Sequence, residues 1–350
     1  MSAPTVGMIE AFAERAGIPR GSLQFPHPPP GLPTKPCLAS DLGMMLVSLP
    51  VIASVPGFPM LMATLFYKAW KSEDKGHSRK LWGVLALVVL FYVLLAVMPV
   101  KRRPSFLQSR LWQWGLEYMS VRIANRSGKA LPEGQYMFAL FPHGLFPFTA
   151  GLVAVSDLAK VFMHVRIASA EVGFRLPVMR QALGWQGAIP ATRRAISKAL
   201  GEGDTVGLMP GGIAEMVKTR MDRETLVLKD RKGFVREALS RGVPIVPVYV
   251  FGQSITFGQL TLPSWVHDLS RKIRLSIMFP YGRWGMLIPR KLPLLFAIGD
   301  PIKGPSLGPG VLPTDEQVNE AHSAVVAAVS DLYDFYKGIY GWNDRPLTIE

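Results

Sequence analysis

Phe138-Ala139-Leu140-Phe141-Pro142-His143-Gly144-Leu145-Phe146-Pro147-Phe148 places one imidazole between two prolines and beside a glycine, in a run that is otherwise apolar. Histidine, with an ordinary pKa of ~6.5, is the side chain best suited to take a proton near neutral pH. Pro142 fixes the backbone just ahead of the ring, and Gly144 lets another group approach just behind it. Taken alone, the stretch reads as a buried histidine satisfied by a carbonyl. Its chemistry depends on what the rest of the chain brings to it.

The stretch Leu208-Met209-Pro210-Gly211-Gly212-Ile213-Ala214-Glu215-Met216 lies 72 residues further on, counted from His143 to Glu215. A short apolar strand runs into paired glycines, which permit a sharp turn and bring backbone N–H groups close to a ligand. Glu215 then stands in an apolar setting where an unpaired carboxylate is costly. By itself Gly-Gly ahead of a helix is ordinary turn chemistry. Combined with His143, it predicts one strand end presenting an imidazole and a neighbouring strand end presenting a carboxylate and amides.

A third stretch, Lys229-Asp230-Arg231-Lys232-Gly233-Phe234-Val235-Arg236, sets four basic residues against one acid ahead of a helix-like run. It reads either as a solvated helix face or as a clamp in which arginine forks and lysine charges hold phosphate oxygens.

Around these stretches, short apolar runs alternate with helix-like segments. Strands are expected at 136–141, 205–209, 243–251, 273–279 and 294–298, with helices at 193–200 and 233–240. That alternation predicts an α/β domain with a largely buried sheet over residues 101–350. Thr314-Asp315-Glu316-Gln317 has a capping-box pattern. The helix it opens carries Val318, Ala321, Val325, Val329, Leu332 and Phe335 at helical spacing, as a core-facing stripe.

Residues 1–40 hold no sustained period and read as a flexible arm, without the features of a secretory signal. No charge occurs between Leu42 and Tyr67, or between Leu81 and Val100. As a helix the second run spans ~30 Å, the thickness of a bilayer core. The first carries Pro50, Pro56 and Pro59 and is expected to be kinked or re-entrant. Joined by the polar segment Lys68–Lys80, the two form a membrane hairpin over residues 41–100, both ends on one side. Positive residues flank both ends, so charge alone does not orient it.

Hydrophobic residues make up 49% of the 350 and charged residues 18%, with a net charge of +14. This balance favours a membrane surface or a phosphate-bearing small molecule over nucleic acid as the anionic partner. Cys37 is the only cysteine, which excludes an intramolecular disulfide and any CxxC metal or redox site. No metal-ligand pattern, Walker loop, nucleophile elbow or dinucleotide fingerprint is present.

In combination the motifs resemble those of the type-2 diacylglycerol acyltransferase family. The family's His-Pro-His-Gly block is Phe141-Pro142-His143-Gly144 here, its Gly-Gly-x-x-Glu block is Gly211-Gly212-Ile213-Ala214-Glu215, and its Arg-Lys-Gly-Phe-x-Arg block is Arg231-Lys232-Gly233-Phe234-Val235-Arg236. Similar stretches are Phe174-Arg175-Leu176-Pro177, Val246-Pro247-Val248-Tyr249 with Phe251-Gly252, Tyr281-Gly282-Arg283-Trp284-Gly285, and Tyr340-Gly341-Trp342. Two positions depart from related patterns. Phe141 stands where the family keeps its first histidine. Phe148 stands where wider glycerolipid acyltransferases place an aspartate, so a His–Asp dyad within one motif is ruled out.

The resemblance implies a glycerolipid-acyltransferase-like mixed sheet flanked by helices, behind a two-helix membrane hairpin. It implies transfer of a fatty acyl group from acyl-CoA, as co-substrate rather than resident cofactor, to the free hydroxyl of diacylglycerol. A monoacylglycerol or a fatty alcohol is the alternative acceptor. A lipid esterase and a non-catalytic lipid-binding membrane protein are the more distant readings. His143 is the expected general base and Glu215 the carboxylate expected to orient it. Phe141, Pro142, Gly144, Gly211 and Gly212 are expected at the substrate, and Arg231, Lys232 and Arg236 on the CoA phosphates. The implied location is the endoplasmic reticulum membrane, multi-pass with a cytosolic catalytic domain, with lipid droplets as a second site and a homo-oligomer left open.

Overall fold

The computed structural model describes residues 23–24, 38–259, 280–305, 307 and 311–350. Most of the arm at 1–40, with Cys37, and the strand expected at 273–279 lie outside them. Among the described residues the centre is an eight-stranded sheet in the order β1-β2-β11-β8-β3-β6-β4-β5. These strands are β1 (Leu23–Gln24), β2 (Arg122–Asn125), β3 (Met137–Phe141), β4 (Arg166–Ser169), β5 (Ile189–Pro190), β6 (Val206–Leu208), β8 (Ile245–Phe251) and β11 (Leu295–Ile298). From β8 to β5 every pairing is parallel; β11 then runs antiparallel to β8 and parallel to β2. The sheet is therefore mixed, as expected. Two-stranded pairings join β7 (Glu224–Leu226) to β12 (Leu347–Ile349), and β9 (Gly258–Gln259) to β10 (Pro280–Tyr281).

The central strands are apolar on both faces because both faces are covered. In β3 and β8, Met137, Ala139, Phe141, Ile245, Tyr249 and Phe251 enter one core. Phe138, Leu140, Val246, Val248 and Val250 alternate into the other. A slip of one residue would exchange the two sets, so the pattern fixes the register.

Two long helices precede the sheet, α1 (Leu38–Lys71) and α2 (Lys75–Val97). The helix α1 runs without a break in its bounds through Pro50, Pro56 and Pro59. The connection is shorter than expected: α2 begins at Lys75, with Asp74 as its N-cap accepting from the Gly76 N–H at 2.7 Å. The two helices pack on each other through a Phe58–Tyr92 stack with centroids 3.6 Å apart and a Phe66–Trp82 edge contact. At 23 residues, or about 35 Å, α2 is the one helix among those described that is long and apolar enough to cross a membrane. Trp82, Leu87, Leu90, Phe91, Leu94 and Val97 are all exposed on it.

The two helices meet the domain near the start of α1 and the end of α2. Met44 of α1 is buried in the second core with Trp112 and Leu116 of α3 (Arg110–Tyr118). Gly43 faces Trp114, where an added Cβ would come within 2.7 Å of the Trp114 Cβ. On the other side, Gln181 of α4 (Pro177–Gln186) donates to the Leu95 carbonyl near the end of α2 at 2.9 Å.

On the first core pack α5 (Arg193–Gly201), α7 (Gly233–Ser240) and α8 (Asp315–Tyr340), while α6 (Gly212–Lys218) follows β6. The capping box of Thr314 and Gln317 is formed at the start of α8. Its buried stripe follows the expected residues as far as Leu332 and then passes to Tyr336, Ile339 and Tyr340. Phe335, expected in the core, is exposed instead and carries the Arg126 guanidinium over its ring at 3.9 Å. At 3.6 residues per turn the stripe from Leu332 continues through Tyr336.

Candidate active site

Three adjacent parallel strands, β6, β3 and β8, end at one edge of the sheet, and the segment after each carries a polar residue to that edge. His143 follows β3, Glu215 follows β6 on α6, and Gln253 follows β8. Carboxyl ends of parallel strands are where α/β folds present ligand-binding groups, because the connecting turns leave a crevice there.

The His143 ring is half-buried, and its Nδ1 lies 2.9 Å from the carbonyl oxygen of Gly144. A carbonyl only accepts, so Nδ1 carries the proton and Nε2 carries the lone pair. Burial lowers the ring's pKa from its ordinary 6.5, with the Gly144 bond working in the other direction. The imidazole is thus held neutral, in the tautomer whose Nε2 accepts a proton.

Glu215 is almost wholly buried, and the hydrogen bonds its carboxylate accepts come from backbone amides rather than from the imidazole. One oxygen accepts the backbone N–H of His143, and the other accepts that of Val227 at 3.2 Å. The expectation that Glu215 orients the ring is corrected accordingly: Gly144 fixes the ring, and Glu215 fixes the loop that carries it. Burial pushes the Glu215 carboxyl up to about 7 against the effect of those two amides. Gly211 is required by the same carboxylate, since a Cβ there would lie 1.9 Å from the Glu215 Oε2. Gly212 has φ +53, and its amide is spent on the Met209 carbonyl at 3.3 Å.

Gln253 was not legible as a site residue. Its buried Nε2 donates to the carbonyls of His143 at 2.9 Å and Phe146 at 2.7 Å, closing the loop from the β8 side. Gly144, at φ +66, makes room for it, because a Cβ there would come within 2.8 Å of that Nε2. The signal was its position: a residue just past Phe251-Gly252 at a strand end, as His143 is just past Phe141-Pro142. Phe141 and Pro142 are buried, and the Phe141 ring lies in the first core rather than at the site.

A second buried carboxylate lies nearby. Glu224 accepts from Tyr249 Oη at 2.9 Å and Ser254 Oγ at 2.6 Å, and pairs with Arg345 at 2.6 Å. Parallel pairing of β12 with β7 brings Arg345 beside it. Burial raises the Glu224 carboxyl, with Arg345, Ser254 and Tyr249 opposing the rise. No local pattern marked either residue, since their partnership spans 121 positions.

The basic stretch does not join the histidine loop. Lys232 Nζ donates to Asn319 Oδ1 at 2.8 Å. Arg236 pairs with Asp315 and donates to the Pro313 carbonyl at 3.2 Å, tying α7 to the start of α8. Arg231 is exposed. Two of the three residues expected on phosphates are thus engaged with α8 and the turn before it.

A mixed α/β sheet with a histidine loop and a buried glutamate at its carboxyl edge defines the class, and comparison with known proteins gives the family. The diacylglycerol acyltransferase family model matches residues 77–350. Diacylglycerol O-acyltransferase 2 of Xenopus tropicalis is 30% identical, covering 76% of this chain and 79% of that protein. Diacylglycerol O-acyltransferase 2-like protein 6 of Homo sapiens is 28% identical, covering 86% and 94%. A crystal structure of the 1-acyl-sn-glycerophosphate acyltransferase PlsC from Thermotoga maritima aligns at 12% identity and a TM-score of 0.41, covering 85% and 95%, too loosely to argue from. The chain belongs to the diacylglycerol acyltransferase family and is an acyltransferase.

Proposed function

We propose that the chain transfers a fatty acyl group from acyl-CoA to the free hydroxyl of diacylglycerol, with His143 as general base. The observation that carries this reading is the Nδ1 contact to the Gly144 carbonyl, which leaves Nε2 unprotonated on a ring whose pKa burial depresses. The hydroxyl proton passes to Nε2 while the hydroxyl oxygen attacks the thioester carbonyl. Collapse of the tetrahedral intermediate breaks the C–S bond, and the proton leaves with the CoA thiol. The developing oxyanion needs fixed donors. The amide of Gly144 serves in this reading, since those of His143 and Gly212 are already bonded.

The membrane hairpin belongs to the same proposal. Apolar residues exposed along a 23-residue helix need a cover that water does not supply, and lipid supplies it. In this reading α1 enters the bilayer with α2, the catalytic domain faces the cytosol, and the membrane is that of the endoplasmic reticulum or the surface of a lipid droplet. Both lipid substrates then reach the site without crossing water.

The test is expression of wild type and His143→Ala in cells unable to make neutral lipid, followed by lipid analysis. Triacylglycerol from wild type alone is the expected result. Sterol-free wax ester or diacylglycerol as the product would reassign the acceptor. Neutral lipid made equally by both proteins would remove His143 from the chemistry.

A further inference from the structure

Away from the histidine loop, a cavity of about 530 Å³ opens beside the end of α2, with Arg102, Arg166 and Arg180 around it and Val100 and Phe174 in its wall. Asp204 is the acid in its lining, so three guanidinium groups face one carboxylate. Arg166 pairs with Asp204 at 2.7 Å and donates to the Gly187 carbonyl at 3.1 Å. Arg180 donates to the carbonyls of Met98 at 2.9 Å and Leu95 at 3.4 Å, where α2 ends. Among the described residues Arg102 has one long hydrogen bond, to the His164 carbonyl at 3.4 Å. A guanidinium carries five N–H donors, and these bonds leave donors on all three.

The pocket is built rather than accidental. A Cβ at Gly184 would lie 1.4 Å from Val100 Cγ1, and one at Gly187 would lie 2.9 Å from Arg102 Cδ. Two glycines therefore admit the segment that brings Arg102 in, and the Arg103 amide fastens it to the Trp185 carbonyl at 3.0 Å. Burial and the facing Arg166 both lower the Arg102 pKa, with Asp204 only partly compensating. The cavity carries more positive charge than its own acid neutralises.

We propose that this arginine pocket binds the phosphate of an anionic ligand at the membrane surface, a phospholipid headgroup rather than the phosphates of the acyl donor. Arginine forks match phosphate oxygens in pairs, and the neighbouring end of an apolar helix puts the pocket at headgroup level, a placement that rests on the membrane reading above. The sheet separates the pocket from the chemistry. Arg166 is the first residue of β4, level with Val206 and, across β6, with Met137, the first residue of β3. His143 lies beyond the far end of β3, whose length from Met137 to Phe141 alone is about 13 Å. A headgroup held here anchors the domain against the bilayer and leaves the acyl-transfer site open.

The test is equilibrium binding to the full-length protein purified in neutral detergent, which needs no turnover and is independent of the product assay. The probes are dihexanoyl phosphatidic acid, dihexanoyl phosphatidylcholine and coenzyme A. Wild type is expected to prefer the phosphatidic acid over the phosphatidylcholine. Arg102→Gln should weaken phosphatidic acid binding by about tenfold, with Arg102→Lys between the two, while the Kd for coenzyme A stays unchanged. Equal binding of both lipids by wild type, or equal phosphatidic acid binding by wild type and a folded Arg102→Gln, overturns the proposal. A tenfold rise in the Kd for coenzyme A in Arg102→Gln, with coenzyme A competing against phosphatidic acid, overturns the headgroup assignment and gives the pocket to the donor's phosphates.

Discussion

Glu215 and His143 are joined through the backbone of the histidine, not through its ring. The carboxylate accepts the His143 amide N–H, and the imidazole turns its Nδ1 to the Gly144 carbonyl at 2.9 Å. Two residues from different strand ends thus divide the tasks a dyad carboxylate would perform. Gly144 sets the tautomer, and Glu215 sets the position of the chain that presents the ring. The buried acid is an anchor whose own protonation is poised near neutrality.

That poise makes Glu215 visible in the pH dependence of stability. Its folded pKa of about 7 stands above the ordinary 4.5, so its contribution to stability is full below pH 4.5 and is lost as pH rises through about 7. The loss totals on the order of 3 kcal/mol. Denaturant unfolding of wild type and Glu215→Gln from pH 4.5 to 8 should give a difference curve carrying this one-proton loss. Coincident slopes for the two proteins would mean that the carboxyl titrates normally.

His143 gives the opposite sign. Its folded pKa is lowered, so the neutral ring persists below pH 6.5, and the stability linked to it is present above that pH and lost as pH falls through the folded value. The acid limb of kcat/KM should accordingly lie below pH 6.5. Replacement by Ala should cost about 10²–10⁴-fold in kcat, the usual worth of a general base, while the melting temperature stays near wild type. A matching fall in melting temperature would point to a structural histidine.

The strand ends were legible in the sequence and the partnerships between them were not. Apolar runs bounded by prolines and glycines marked β3, β6 and β8 to within two residues at each end, because both faces of a central parallel strand must be apolar. His143 and Glu215 stood out as polar residues in such runs. What the pattern could not supply was the order of the strands, and hence which atom of His143 faces Glu215. Gln253 escaped because a lone glutamine after a strand has no distinctive chemistry until two carbonyls converge on it. The basic stretch misled for a related reason: a run of charges shows its sign but not its partners, and Asn319 and Asp315 lie on a helix more than 75 positions away.

Gln253 should behave as a positioning residue. Replacement by Leu removes two donors and strands the carbonyls of His143 and Phe146, at about 1–3 kcal/mol in stability for each buried group left without water. Because the loop carries the base, kcat should fall with little change in KM for either substrate. Gly144→Ala should reproduce the effect by displacing Gln253 from the other side, adding a side chain at φ +66. Unchanged kcat in a destabilised Gln253→Leu would confine the residue to a structural role.

Arg236 tests where the donor's phosphates sit. It pairs with Asp315, whose side chain is 79% exposed, an ion pair worth at most about 1 kcal/mol. Arg236→Gln should lower the melting temperature slightly and leave the KM for acyl-CoA where it was. A severalfold rise in that KM, reversed by Arg236→Lys, would return the residue to the phosphate clamp its sequence context suggests.

Arg345 should be the most costly of these residues to remove. Glu224 has no exposed side-chain surface, and Arg345, itself only 10% exposed, is the cation that pairs with it among the described residues. Arg345→Met leaves the carboxyl buried without its counter-charge, a loss of about 3–5 kcal/mol. The same change made with Glu224→Gln removes both charges, and the amide can still accept from Ser254 or Tyr249. The double variant should therefore recover much of the stability lost by the single one, a coupling that denaturant unfolding of the four proteins measures directly. Additive losses would mean that Arg345 acts through its contacts with the carbonyls of Met221 and Arg223 and its stacking on Trp342, rather than through Glu224.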